Sequence, residues 1–119
     1  MSTACEADEM IEAVSFPAAC PDTGYAFREV GRRHGDFAIV ACAASVDDRS
    51  VRLAIGGVAD RPVTRSLPPP SDPALSDALE AFAADIEAHD DIHATAHYRR
   101  KLVRFLGQQT IEEAARCRG

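Results

Sequence analysis

The chain has 119 residues, of which 46% are hydrophobic and 27% charged, and its formal net charge is −6. This length fits a single domain, and the composition is that of a globular protein rather than a disordered one. A net negative charge without a concentrated basic face argues against binding to nucleic acid or to an anionic membrane. No apolar run approaches the ~20 residues of a transmembrane helix, and residues Met1 to Glu12 lack the basic start and apolar centre of a signal peptide. A cytoplasmic protein without a membrane span is therefore expected.

Strand-like patterns occupy residues 9–58, which are predicted to contain four strands. Glu9–Phe16 alternates loosely, Gly24–Val30 places its aromatic residues on one face, Phe37–Val46 is nearly continuously apolar, and Val51–Val58 alternates clearly. The alanine content of the third segment is also compatible with a helix. Its β-branched residues and the polar Asp47–Ser50 that follows, which is typical of a hairpin loop, favour a strand. The last two strands are therefore predicted to be antiparallel neighbours.

Residues 60–72 contain Pro62, Pro68, Pro69 and Pro70 and are predicted to form an extended connector. A helix should follow, with Asp72 as its N-cap and Pro73 at its first position. The apolar side chains at helical spacing that would pack on the sheet are Leu75, Leu79, Phe82 and Ile86.

A second helix is predicted to begin near Thr95. Its periodicity indicates two faces: an inward one with Tyr98, Leu102, Phe105 and Leu106, and an outward one with Arg99, Arg100, Lys101 and Arg104. Gly107 is expected to end or weaken this helix, which leaves Ile111–Arg116 as a last helical turn or a tail.

Strands followed by helices predict an α+β fold, in which an antiparallel sheet of three or four strands is followed by two or three helices packed on one face. A frayed N-terminus is expected over residues 1–8 and one domain over residues 9–119, with its helices within residues 73–115. The cysteines at positions 5, 20, 42 and 117 form no CxxC pair, so they predict neither a zinc site nor an iron–sulfur motif. Cys42, inside an apolar run, is predicted to be a small core residue.

A cationic tract between the second and third predicted strands carries the most chemical information. Arg28 should lie on the strand face opposite Tyr25 if the alternation is regular, and Arg32 and Arg33 should lie at a turn with Gly35. Guanidinium groups can bind phosphate, carboxylate or the negative charge of a reduced flavin ring. The same arginines could equally be solvated surface residues paired with neighbouring acids, and the tract alone does not decide between these interpretations.

Three histidines, His89, His93 and His97, are spaced as i, i+4 and i+8 and could form a metal site with Asp90 and Asp91 if the helix were continuous. The two consecutive aspartates are more typical of a break between helices, so no metal site is predicted. No Ser/His/Asp or Cys/His arrangement is recognisable, and no catalytic residue is predicted. The pair Gly56-Gly57 indicates a tight turn or a close backbone approach, since a phosphate loop needs a longer glycine pattern.

Three motifs in order give the chain a recognisable resemblance. They are a tract of the form F-R/K-x-x-x-R-R-x-G-D-F-A at Phe27–Ala38, a strand ending in Gly-Gly at Ile55–Val58 and followed by Pro62-Val63, and D-x-H-A-T-A-x-Y-R-R at Asp91–Arg100. From about Glu9 to about Leu106, the chain resembles the C-terminal domain of the FAD-binding medium subunit of carbon monoxide dehydrogenase and xanthine dehydrogenase-like molybdenum hydroxylases. It departs from that pattern at His97, where the family usually has glutamate.

The resemblance implies a part of an electron-transfer flavoprotein. In the family, the basic residue at the position of Arg28 approaches the isoalloxazine ring, and the loop that carries Arg32, Arg33 and Asp36 lies near the flavin; these four residues are the expected cofactor-binding positions. The glycine-rich segments that hold the FAD pyrophosphate lie upstream in the family and have no counterpart here. FAD would therefore be shared with a missing or separate FAD-binding fragment or domain.

The implied partners also include a molybdopterin-containing large subunit and a small subunit with [2Fe-2S] clusters, so the chain would belong to an oxidoreductase complex and would not be catalytic alone. A stand-alone interaction module, or a remnant of a split subunit, is the alternative.

Overall fold

The computed structural model describes residues 4–118, which form a four-stranded sheet covered by two helices. The strands are β1 (Gly24–Val30), β2 (Val40–Val46), β3 (Val51–Gly56) and β4 (Val63–Leu67), and the helices are α1 (Leu75–Asp85) and α2 (Ala96–Arg116). Neighbouring strands pair antiparallel in the order β1-β2-β3-β4. The predicted α+β class, with helices packed on an antiparallel sheet, is confirmed.

The core lies between one face of the sheet and the two helices. Alternate residues of β2 and β3 point into it, because successive side chains of a strand point to opposite faces. The helices contribute complementary apolar stripes, and α2 contacts β1, β2 and β3 while α1 contacts β4. The buried apolar side chains are those of Val40, Cys42, Ala44, Val46, Val51, Leu53, Ile55, Val58, Leu67, Leu79, Phe82, Ala83, Ile86, Val103, Leu106, Ile111 and Ala114. Cys42 is a core residue, as predicted, and burial raises the pKa of its thiol to about 12.

One predicted strand is absent, and one strand lies where a connector was predicted. Glu9–Phe16 forms no strand, and its residues are exposed. Its alternation is broken, since Met10 and Ile11 are adjacent and would point to opposite faces of a sheet. The fourth strand is instead Val63–Leu67, inside the segment predicted to be a connector. This is possible because the prolines at positions 62 and 68 bound the strand, whose five residues all keep the N–H groups needed for pairing with β3.

The helices also differ in detail from the predictions. The first begins at Leu75, two residues beyond Pro73, and its N-cap is Ala74 rather than Asp72. The second begins after Thr95, as predicted, and the Thr95 hydroxyl accepts the N–H of Tyr98 at 3.2 Å. Gly107 does not end α2, because the missing Cβ lets the helix pack against the methyl groups of Leu53 and Leu79. The helix is therefore uninterrupted to Arg116.

The predicted N-terminal fraying over residues 1–8 falls partly outside the described residues, which start at Ala4. Neither helix within residues 4–118 combines the length and apolar character needed to cross a membrane.

Candidate functional site

The loop between β1 and β2, Gly31–Ile39, is here called the arginine loop. The N–H of Ile39 donates to the carbonyl oxygen of Val30 at 2.7 Å and closes the base of the loop. Within the loop, the N–H of Asp36 donates to the carbonyl oxygen of Arg33 at 3.2 Å and forms a turn. Gly35 supplies the left-handed backbone conformation at this turn, with φ of 87°. The tract therefore folds as a loop that displays Arg32, Arg33 and Asp36 at one end of the sheet.

The turn after β3 lies directly against the base of the arginine loop. Gly57 has a φ of 80°, and a Cβ at this position would lie 2.7 Å from the carbonyl oxygen of Ala38 and 3.0 Å from that of Ile39. Only glycine allows this approach without a backbone shift. The close backbone approach predicted for Gly56-Gly57 is thus present, with Gly57 as the residue in contact.

The connection between α1 and α2 supplies the third part of the site. The Asp91 carboxylate accepts the N–H groups of His93 and Ala94 at 2.8 and 2.9 Å, which builds a tight turn just before α2. The pKa of Asp91 is lowered to about 2. The largest cause is the hydrogen bond from the N–H of Ala94, followed by that from His93, and Arg99 adds to the effect. The carboxylate is therefore ionised at neutral pH.

Arg99 joins the three connections. Its side chain is 3% exposed, and its Nη1 donates to the carbonyl oxygens of Ile39 at 2.8 Å and of Gly57 at 2.6 Å. Its Nη2 donates to the Asp91 carboxylate at 2.6 Å. The Nε atom is buried and has no hydrogen-bond partner among residues 4–118. A buried arginine requires such partners, because an uncompensated charge away from water is strongly unfavourable.

The predicted orientation of this part of α2 is partly wrong, although Leu106 is buried as predicted. Arg99 points inward, whereas Tyr98 is 46% exposed and Phe105 is 61% exposed. The sequence contained a signal for the correct orientation: Arg99, Val103 and Leu106 are spaced as i, i+4 and i+7 and share one face of a helix. The sequence nevertheless favours the solvent-exposed face for Arg99, because charged residues are rarely buried unless they are paired and the partners of Arg99 lie far away in the sequence.

The three connections enclose a cleft of about 380 Å³ at this end of the molecule. Its walls combine guanidinium donors, carboxylates, backbone of the arginine loop and an aromatic ring, that of Phe37, which is 86% exposed. The lining residues are Arg32, Asp36, Phe37, Ala38, Ile39, Gly57, Asp91, His93 and Arg99. Such a surface is suited to a planar polar ring or an anion, and it holds no serine, threonine, cysteine or lysine of the described chain that could act as a nucleophile.

The four predicted cofactor-binding residues are not all in this cleft. Arg32 and Asp36 line it, and Arg33 lies in the adjoining concave surface of the arginine loop itself. Arg28 lies on the helix-facing side of β1, opposite Tyr25 as predicted, where its Nε donates to Glu113 of α2 at 2.7 Å. Both side chains of this ion pair are about two fifths exposed, so Arg28 remains accessible from solvent.

The histidines do not share one helix. The first helix ends at Asp85 and the second begins at Ala96, so His89 and His93 lie in the connection and only His97 is helical. Within residues 4–118, no group of three histidine, cysteine or acidic side chains is arranged to hold a metal ion.

No family model matches the chain. It is 32% identical to the nicotine 6-hydroxylase medium subunit of Paenarthrobacter nicotinovorans over an alignment of 126 residues, which covers 94% of this chain and 43% of that protein. It is 29% identical to caffeine dehydrogenase subunit beta of Pseudomonas sp. (strain CBB1), over 92% of this chain and 41% of that one. The chain thus spans about two fifths of the length of these relatives.

The fold is found in solved structures of similar enzymes. A chain of quinoline 2-oxidoreductase from Pseudomonas putida 86 superposes with a TM-score of 0.68 at 27% identity, over 81% of this chain and 38% of that one. A chain of carbon monoxide dehydrogenase from Oligotropha carboxidovorans superposes with a TM-score of 0.74 at 22% identity, over 85% and 40%. The fold is an α+β domain that matches part of the chains of these oxidoreductases. The chain belongs to the medium-subunit family of the carbon monoxide dehydrogenase and xanthine dehydrogenase type of molybdenum hydroxylases.

Proposed function

We propose that the chain is the part of a molybdenum hydroxylase medium subunit that flanks the flavin ring of FAD, and that it works with a separate FAD-binding fragment or domain. The observation that carries this proposal is the convergence of three sequence segments, 27–38, 55–58 and 91–100, at one cleft. The medium-subunit relatives favour this function over a stand-alone interaction module.

The side chains of the cleft suit one part of FAD only. Arg32 offers planar donors, Asp36 an acceptor and Phe37 an exposed aromatic face, a combination that fits the polar edge of an isoalloxazine ring. The pyrophosphate needs a glycine-rich loop that opens a helix, and the sequence contains no such pattern. Bound flavin would supply electron transfer. Arg32 and Arg33 would favour its anionic form electrostatically, and the Asp36 carboxylate would accept a hydrogen bond from it.

The wider assembly follows from the same proposal. The chain would join a large subunit that carries molybdopterin and a small subunit that carries [2Fe-2S] clusters, in the cytoplasm, and would contribute no catalytic group of its own. It would not touch the substrate of the complex.

The proposal is tested by purifying the affinity-tagged chain from its own host under gentle conditions. We expect it to retain two or three partner proteins and to show flavin and iron–sulfur absorbance. A folded, colourless chain that is recovered alone would contradict the proposal.

A pair of variants locates the flavin contact on the surface of the chain. Arg32→Gln should weaken flavin retention in the complex, since it removes a charged donor group from the cleft. The matched control is Arg104→Gln, because Arg104 pairs with Glu80 on the exposed side of α2 at 3.2 Å and does not line the cleft. Equal flavin retention in both variants would exclude the cleft as the flavin contact.

A further inference from the structure

Among residues 4–118, the buried side chain that carries a charge is that of Arg99, and the proposed function assigns it no role. Its partners are two backbone carbonyls and one carboxylate, each from a different connection of the fold: Ile39 ends the arginine loop, Gly57 follows β3, and Asp91 precedes α2. None of these partners belongs to a strand or a helix. Arg99 therefore holds together segments that the sheet hydrogen bonds leave unconnected.

The other hydrogen bonds of these connections are local. The N–H of Ile39 donates to Val30, that of Asp36 to Arg33, and that of Asp91 to Ala94, so each bond closes its own segment. Among the hydrogen bonds of residues 4–118, those of Arg99 are the ones that join the three connections to each other. The hydrogen bonds that tie the cleft walls to each other therefore come from one side chain.

We infer that Arg99 is a positioning residue: its buried guanidinium fixes the arginine loop against the Gly57 turn and the Asp91 turn, and so sets where Arg32 and Asp36 lie in the cleft. A guanidinium suits this role because it presents five N–H donors in a rigid plane. Arg99 uses two donors of Nη1 on carbonyls and one of Nη2 on the carboxylate. A lysine ammonium is a compact point charge and cannot reproduce this spread of partners.

The direct test uses the full 119-residue chain with Arg99→Lys, and Arg104→Lys as the matched control on the exposed side of α2. Backbone amide NMR would give chemical shifts and hydrogen-exchange rates. We expect Arg99→Lys to change chemical shifts mainly at residues 31–39, 57–58 and 91–95. Amide exchange in the arginine loop should become about tenfold faster, because roughly one hydrogen bond to a charged group is lost. The turn at residues 47–50 should be unchanged, and the control should match the original chain throughout.

A purely structural contribution gives a different result, because exchange would then rise by the same factor in the arginine loop, the Asp47–Ser50 turn and the core. Uniform acceleration in Arg99→Lys, or unchanged loop amides, would overturn the inference. Arg99→Met, which removes the charge, serves as a second variant. If both variants unfold the chain, Arg99 is required for folding as a whole and the positioning role is rejected.

The consequence for flavin rests on the proposed function and is measured separately, in the complex with its flavin-containing partner. Arg99→Lys should weaken flavin retention about as much as Arg32→Gln, and the double variant should be no weaker than either alone, because both changes remove the same contact. Loop changes without any effect on flavin would support the positioning role and contradict the proposed function. If Arg32→Gln weakens flavin retention but the loop is unchanged in Arg99→Lys, the proposed function is supported and the positioning role is contradicted.

Discussion

The two connections of strand β2 are stabilised in opposite ways. The turn at its C-terminal end, Asp47–Ser50, is held by its own first residue, whose carboxylate accepts the N–H groups of Arg49 and Ser50, both at 2.8 Å. The arginine loop at the other end is held by Arg99, which lies 60 residues further along the chain than its partner Ile39. One turn is therefore locally determined, and the other depends on the tertiary fold.

This difference has a functional meaning. A self-contained turn can form as soon as its two strands pair, and the ion pair of Asp48 with Arg118 adds a long-range contact. The arginine loop is placed by contacts at its base, and its tip, with Arg33 and Gly35, is exposed. A loop anchored in this way can offer charged side chains to a ligand while its position stays defined.

The largest effect should come from removing the anchor of the arginine loop. Arg99→Met leaves the carbonyls of Ile39 and Gly57 without a donor and the Asp91 carboxylate without its cation. We expect the free energy of unfolding to fall by about 3 kcal/mol, at the low end for a broken buried pair because the Asp91 side chain is 35% exposed. Urea denaturation at neutral pH measures this change. A loss below that of an exposed ion pair would show that the three contacts contribute little.

The next effect concerns the approach of the Gly57 turn to the same loop. Gly57→Ala combines a left-handed backbone with a Cβ 2.7 Å from the carbonyl oxygen of Ala38, and should cost about 2 kcal/mol. Gly35→Ala is the control, because its φ is also positive but a Cβ there meets no atom within 4 Å. The control should lose only about 1 kcal/mol. Equal losses in urea denaturation would mean that the close approach is not tight.

A smaller effect is expected at the self-contained turn. Asp47→Ala removes the acceptor of two backbone N–H groups and should lower the free energy of unfolding by less than Gly57→Ala does. Faster amide exchange should be confined to Arg49 and Ser50, with the arginine loop unaffected. If Asp47→Ala alters amide exchange in the arginine loop as well as in the Asp47–Ser50 turn, the two connections are not independent.

The pH dependence of stability should include a contribution from the Asp91 turn. The pKa of Asp91 is lowered from 3.8 to about 2 in the folded chain, so its contribution to stability is complete above pH 3.8 and is lost as the pH falls towards 2. Asp91→Asn should remove this part of the acid sensitivity. Urea midpoints measured at neutral pH and across this acidic range test it, and an unchanged acid profile in Asp91→Asn would contradict the assignment. Asp47, whose pKa is also lowered by backbone N–H bonds, should contribute in the same direction.

The contrast between the two connections also explains what could be predicted from the sequence. The Asp47–Ser50 turn and the Thr95 cap were predictable because their chemistry lies within three residues. The location of the arginine loop was predictable for a similar reason, since its cations and glycine are consecutive. The fold class was predictable from the order of the strand-like and helix-like segments.

The errors occurred where a distant partner decides the structure. Val63–Leu67 forms a strand because it pairs with β3, whereas the prolines on both sides of it favour an extended connector. Arg99 was expected in solvent because its three partners lie 8, 42 and 60 residues away. The separation of Arg28 from the cleft has the same origin, because Glu113, on the helix packed beside β1, is 85 residues away.

The measurement that tests the central claim most directly is amide hydrogen exchange by mass spectrometry, on the chain alone and in the flavin-containing complex captured from its host. If the cleft flanks the flavin, residues 31–39 and 91–95 should be protected in the complex, and the Asp47–Ser50 turn should exchange equally in both samples. Protection that leaves the arginine loop and the Asp91 turn unchanged would contradict the account.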